Sequence, residues 1–207
     1  LKKLGIEVIE INCDANGKFA HNPEPLPDNL SQLASTVTDN QADFGIAVDP
    51  DVDRLVLVCE DGSFFGEENT IVIITKYILQ IYPGNSVVSN LSTTRAVQDI
   101  AQEYNAQHFE SSVGESNVVD LMKQKKSIIG GEGSGGIIFA QSHYGRDALV
   151  GIALFLSYIS KVNLSVKQIK SLLPTYHMIK HKILIDKHKS FDFHIFIDYK
   201  VQFCQNN

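Results

Sequence analysis

Short apolar runs separated by polar punctuation recur along this chain, and their period switches between two and about 3.6 residues. "IEVIEIN" (6–12) alternates and is rich in β-branched residues, which predicts a strand. The preceding "LKKL" reads as the end of a helix stopped at Gly5, so the chain opens on Leu1 as if inside an α/β unit. "NGKFAHNPEPLP" (16–27), with its glycine and prolines, predicts an irregular loop. Asp28 or Ser31 is placed to cap a helix running through about Asp39. "DFGIAV" (43–48) has the composition of a buried strand, and "RLVLVCE" (54–60) predicts a second, closed by the turn signal Asp61-Gly62.

From Glu67 the pattern restarts. "EENTIVIITKYILQIY" predicts a helix ended by Pro83-Gly84, then "NSVVSNL" a strand, and "TTRAVQDIAQEYN" an amphipathic helix. "AQHFES" follows as a strand and "ESNVVDLMKQK" as a helix. After "SIIGGEGSGG" come a strand, "IIFA", and a long helix over 146–161. Strands alternating with helices indicate α/β layers with mostly parallel pairing. A boundary falls near Phe65-Gly66. "KSFDFHIFIDYKVQFCQNN" (189–207) crowds aromatic residues without a clean period; a strand pair is the nearest reading.

Composition narrows the function classes. With 207 residues, 43% of them hydrophobic, the chain can bury a real core. A formal charge of −6 argues against nucleic acid or acidic membranes as main partners, since both call for basic patches. The densest basic cluster, Lys123, Lys125 and Lys126, reads as a solvated helix end. Cys13, Cys59 and Cys204 are widely spaced and lack CxxC spacing, which suits reduced core thiols in a cytoplasmic protein. No apolar stretch approaches the ~20 residues that a membrane span needs.

Two loops carry candidate chemistry. In "AVDPDVDRLVLV" (47–58), Asp49, Asp51 and Asp53 crowd at one strand end, with Arg54 directly after them. An EF-hand would also place carboxylates so, with Glu60 as last ligand. Arg54, however, stands where that calcium loop needs glycine, and the flanks read as strands rather than helices. An exposed acidic turn neutralised by Arg54 is the plainer alternative. A hard divalent cation on oxygen ligands relieves the repulsion better, and Mg²⁺ favours a few carboxylates plus phosphate. Ligands of open α/β sheets also gather beyond the carboxyl ends of strands, where Asp49 would sit.

The second loop, "IIGGEGSGGIIF" (128–139), contains Gly131-x-Gly133-x-x-Gly136, a formal dinucleotide fingerprint. That fingerprint needs a helix immediately afterwards, and here a strand follows. A β-turn with spare glycines would explain the glycines but leaves Glu132 and Ser134 mounted among them. Such a loop lets a carboxylate and a hydroxyl reach a polyhydroxyl ligand beside free backbone N–H groups.

Together these loops resemble the α-D-phosphohexomutase family: phosphoglucomutases, phosphomannomutases and phosphoglucosamine mutases. "DPDVDR" is similar to the family's D-G-D-G-D-R metal loop and "GEGSGG" to its G-E-x-S-G sugar loop. "NPEP" (22–25), "SSVGESNVV" (111–119) and "HYGRDAL" (143–149) resemble family segments in the same order. The resemblance, over roughly residues 1–185, implies two tandem α/β/α three-layer domains with mixed, mostly parallel sheets. Residues 1–65 would be the second of four domains, less its first strand, with the metal loop. Residues 66–174 would be the third, with the sugar loop, and 175–207 a linker and atypical tail.

The family moves phosphate between positions 1 and 6 of a hexose or hexosamine phosphate, through a phosphoserine and a bisphosphate intermediate. Carried over, Asp49, Asp51 and Asp53 ligate Mg²⁺, and Arg54 contacts the phosphoserine or the transferring phosphate. Glu132, Gly133 and Ser134 bind sugar hydroxyls. Glu115, where many relatives have histidine, contacts substrate or moves a proton, or else is a solvated helix-start carboxylate. Asp147 reads as a helix-start carboxylate.

Departures from the family pattern matter. Pro50 and Val52 replace glycines of the metal loop, and Gly136 replaces a histidine. "FAHNPEP" imitates the phosphoserine loop, but Ala20 stands where the serine would be. The expectation is a central segment without the serine domain and without the phosphate-gripping fourth domain, inactive alone, its tail from a truncated or shifted reading frame. The rival expectation is a non-catalytic metal- or sugar-phosphate-binding module.

Overall fold

The computed structural model describes residues 1–177; the aromatic tail, with the strand pair expected over 189–207, and Cys204 lie outside the described residues. Helix α1 (Ser31–Asp39) leads into strands β1 (Phe44–Val48) and β2 (Leu55–Cys59). Helix α2 (Glu67–Ile81), β3 (Val87–Asn90), α3 (Ala96–Glu103), β4 (His108–Ser111) and α4 (Glu115–Lys125) follow. The order ends with β5 (Ile129–Glu132), β6 (Gly136–Phe139), α5 (Ala148–Ile159) and α6 (Val166–Ser171). Leu1–Tyr176 form one compact unit. No helix among the described residues is long and apolar enough to cross a membrane.

Strands β4-β3-β5-β6 make one sheet, parallel except for β6, which turns back antiparallel on β5. Alternate residues of each strand point to opposite faces. Val87, Ile129 and Ile137 enter a core shared with α2, α3 and α5, whereas Val88 and Ile138 pack with Val118, Val119 and Met122 of α4. The result is an α/β/α sandwich, buried on both faces as parallel strands require. It also places the carboxyl ends of β3 and β5, at Asn90 and Glu132, side by side.

The β1–β2 pair is an antiparallel hairpin. All of β2 is buried, while β1 is mostly half-buried rather than the buried strand its apolar run predicts. Leu55, Leu57, Cys59 and Phe65 join the same core as α2 and α5, so that core is continuous across Phe65-Gly66. Phe155 of α5 is its keystone, edge-on to Phe44 at 5.5 Å and to Phe65 at 6.1 Å. Phe155→Ala is expected to cost about 3–5 kcal/mol through the cavity it leaves, read as a lowered urea midpoint.

Three local expectations fail. Residues 6–12 form no strand, and Ile9 stays 48% exposed. Alternation makes a strand only when a neighbour completes the hydrogen bonds, and among the described residues nothing pairs with this segment. Neither Asp28 nor Ser31 caps α1: Asp28 lies within a 3₁₀ turn, Ser31 is already helical, and the N-cap is Leu30. Cys13 is an exposed free thiol rather than a core one, because it sits in the loop segment; Cys59 is buried as expected. Asp147 does cap α5, accepting from the N–H groups of Leu149 and Val150.

Candidate active site

The β1–β2 hairpin ends directly in the aspartates, and the carboxylate oxygens of Asp49, Asp51 and Asp53 lie within 4.8 Å of one another. Their environments differ. Asp51 is exposed, and Asp53 is half-buried. Asp49 is buried; its Oδ1 accepts from the N–H groups of Asp53 and Arg54, both at 3.0 Å, and its Oδ2 from Arg54 Nε at 2.8 Å. Asp49 therefore closes the loop on itself.

Arg54 also donates from Nη1 to Glu24 Oε2 at 3.0 Å, which ties the "NPEP" segment to the hairpin. Asp53 Oδ2 accepts from Arg146 Nη2, while its buried Oδ1 has no hydrogen bond and lies 3.6 Å from Arg54 Nε. A buried carboxylate oxygen with an ion pair but no hydrogen bond still has room for a closer cation. Beside two more carboxylates, this all-oxygen donor set suits a hard divalent cation such as Mg²⁺.

The charges show in the proton affinities. Burial pulls the Asp49 carboxyl up, but hydrogen bonds from Arg54 and Asp53, with the Arg54 charge, outweigh it and hold Asp49 below the usual range. Burial, then the adjacent Asp49 carboxylate, which favours a proton on Asp53, and the charge of Asp51 push Asp53 up to about 6 despite Arg146.

The glycine loop meets the hairpin directly. Leu55 N–H donates to Gly135 C=O at 3.0 Å, and Arg54 forms a β-bridge with Gly136. Within the loop, Gly133 N–H donates to Thr93 Oγ1 at 3.1 Å. The Ser134 hydroxyl is half-buried and makes no hydrogen bond to the described residues. Glu132 is buried and held by three donors: Oε1 accepts from Asn90 Nδ2 at 2.5 Å and Gly114 N–H at 3.3 Å, and Oε2 accepts from Arg146 Nη1 at 2.7 Å. Glu115 accepts the Arg146 backbone N–H on Oε1 at 2.8 Å and sets Oε2 3.4 Å from Arg146 Nε.

Sequence reasoning thus assembled two loops and missed the residues that join them. Arg146, placed there merely at a helix start, touches Asp53, Glu115 and Glu132. Its signal was a lone cation between Gly145 and the capping Asp147, which reads as nothing without the fold. Asn90, at the end of an apolar strand, carried no signal at all.

The comparisons with known proteins point one way. The profile for phosphoglucomutase/phosphomannomutase alpha/beta/alpha domain III matches residues 67–176, and that for domain II matches residues 1–62. A phosphoglucomutase/phosphomannomutase of Thermococcus kodakarensis is 32% identical over 183 residues, 88% of this chain and 40% of that protein. A probable phosphoglucosamine mutase of Methanosarcina barkeri is 35% identical over 177 residues, 85% of this chain and 40% of that one. The crystal structure of a phosphoglucomutase/phosphomannomutase family protein from Burkholderia thailandensis superposes with a TM-score of 0.78 at 27% identity, covering 84% of this chain and 38% of its own. The chain spans about two fifths of the length of these curated relatives. Matched across both profiles and at this identity, it belongs to the α-D-phosphohexomutase family of phosphoglucomutases and phosphomannomutases.

Proposed function

We propose that these residues are the cation- and sugar-binding centre of an Mg²⁺-dependent phosphohexomutase acting on a hexose or hexosamine phosphate and its bisphosphate. The observation that carries this is the junction of the two loops: the aspartate hairpin and the glycine turn share the Leu55–Gly135 hydrogen bond and the Arg146 ion pairs. Asp49, Asp51 and Asp53 hold the cation, and Asp53 Oδ1, which makes no hydrogen bond, is available to it beside Arg54. The bound cation supplies neutralisation of charge on a transferring phosphoryl group, the main demand of that chemistry. Arg54 contacts the phosphate. Ser134, with the loop N–H groups, meets sugar hydroxyls, and Glu132 shapes that loop through Asn90 and Arg146. A cytoplasmic setting belongs to the same reading, supported by the free Cys13 and Cys59.

The resemblance to the family implies that the phosphoserine and the grip on the distal phosphate belong to domains other than these two. The 207-residue chain alone is therefore expected to bind cation without interconverting hexose 1- and 6-phosphates. Calorimetric titration with MgCl₂, followed by a coupled turnover assay with bisphosphate activator, tests both parts. Absence of cation binding sinks the metal assignment, and conversion by this chain alone sinks the inactivity.

Cation binding should also be proton-linked, because Asp53 holds its proton up to about pH 6 and a cation must displace it. Affinity rises with pH: the ionised fraction at pH 7 is roughly tenfold that at pH 5, so Kd is expected to weaken about tenfold on acidification. A pH-independent Kd over that range would contradict it.

A further inference from the structure

One guanidinium spans the two loops. Arg146 donates from Nη2 to Asp53 and from Nη1 to Glu132, and its Nε lies 3.4 Å from Glu115 Oε2 without completing a hydrogen bond. Its backbone is pinned at its own N–H, on Glu115 Oε1 at 2.8 Å, and directly after it. The neighbouring Asp147 N–H donates to Ile137 C=O at 2.9 Å on β6, and Ala148 N–H to Val52 C=O at 3.0 Å, between Asp51 and Asp53. The side chain crosses over Gly136, where a Cβ would stand 2.4 Å from Arg146 Cδ. The helix start therefore cannot drift from the aspartate loop, and the freedom left is how the fork divides itself among carboxylates.

Three carboxylates share that one positive charge in a half-buried setting, where Coulomb terms are poorly screened. Both ends retain spare hydrogen-bonding capacity: Asp53 Oδ1 has only the Arg54 Nε ion pair at 3.6 Å, and Arg146 Nε only Glu115 at 3.4 Å. A cation on the aspartates competes with Arg146 for Asp53 and leaves the fork to Glu132 and Glu115. By linkage, whatever weakens the hold of Glu132 or Glu115 on the fork returns it to Asp53 and opposes the cation.

We propose that Arg146 is a positioning residue that couples the cation loop to the glycine loop, handing its charge from Asp53 to Glu132 and Glu115 when a divalent cation binds. The proposal rests on the cation site assigned above.

The test is a double-mutant cycle read as Mg²⁺ affinity by calorimetry on the 207-residue chain. Glu115→Gln, at a partly exposed position, is expected to weaken Mg²⁺ binding about fivefold when Arg146 is present. In an Arg146→Met background the same change is expected to do almost nothing. Direct repulsion or attraction between Glu115 and the cation predicts the reverse, an equal or larger effect without Arg146, and that result overturns the proposal. Arg146→Lys guards against misfolding of the methionine variant. It keeps the charge, but one ammonium lacks the planar fork, so the Glu115 dependence should fall there too, and full retention overturns the coupling. A wild-type chain that binds no Mg²⁺ refutes the cation site itself and this coupling with it. Binding without non-additivity refutes the coupling alone.

Discussion

Asp49→Ala is expected to destabilise the fold by about 2–3 kcal/mol, the loss of a charged acceptor for three hydrogen bonds, since Arg54 keeps Glu24 and solvent when Asp49 is gone. Asp49 is 3% exposed and accepts from two backbone N–H groups and from Arg54 Nε. Alanine leaves the Asp53 and Arg54 N–H groups without their acceptor and Arg54 Nε without its partner. It also deletes a proposed cation ligand, so Mg²⁺ binding should disappear in the variant. Asp49→Asn separates the two effects: the amide oxygen still accepts the backbone N–H groups, so stability should fall less while cation binding is still lost. The folded-state pKa of Asp49 lies below its ordinary 3.8. Its stabilisation is thus present above that ordinary value and is lost as pH falls through the depressed one. The alanine penalty should nevertheless be smaller at pH 7 than at pH 5, because Asp49 helps push Asp53 up to about 6 and alanine relieves that repulsion once Asp53 ionises. A urea-measured loss under about 1 kcal/mol would show that the hairpin does not depend on this clamp.

The second large effect is expected at Gly135. Its φ of +93° lies where side chains rarely go, and an added Cβ would stand 2.5 Å from the Leu55 carbonyl oxygen. That neighbour is backbone of a fully buried strand and cannot step aside. Gly135→Ala must therefore push the glycine loop off the hairpin and strain the Leu55–Gly135 hydrogen bond, at about 3 kcal/mol or more. Gly84→Ala is the control, because Gly84 has a comparable φ of +79° with nothing within 4 Å of the added Cβ. It should cost only about 1 kcal/mol. Equal midpoints for the two variants in urea would mean that the contact between the loops carries no stability.

Much of the layer structure was legible from periodicity. Helix α4 occupies Glu115–Lys125, the stretch that "ESNVVDLMKQK" marks out, and the strand that followed the glycine loop is the feature that removed a dinucleotide site. The crowding of Asp49, Asp51 and Asp53 was also legible, because too few residues separate two apolar runs for the carboxylates to part. Where local signal misled, tertiary partners were at fault. "IEVIEIN" alternates as a strand should, yet pairing is a property of two segments, and its sequence describes one.

The site divides along the same line. Residues close in sequence announced themselves: three aspartates and an arginine in one hairpin, a glutamate and a serine among glycines. What joins them did not, since Arg146 and Asp53 are 93 residues apart and meet only because α5 starts against the Val52 carbonyl. Glu132 reads in the sequence as a carboxylate for a ligand, and the fold adds three donors the sequence did not show: Asn90, Gly114 and Arg146. Local spacing determines which charges are forced together and which segments become helix or strand. Which distant cation answers each carboxylate depends on how the layers stack, and only the tertiary structure decides that.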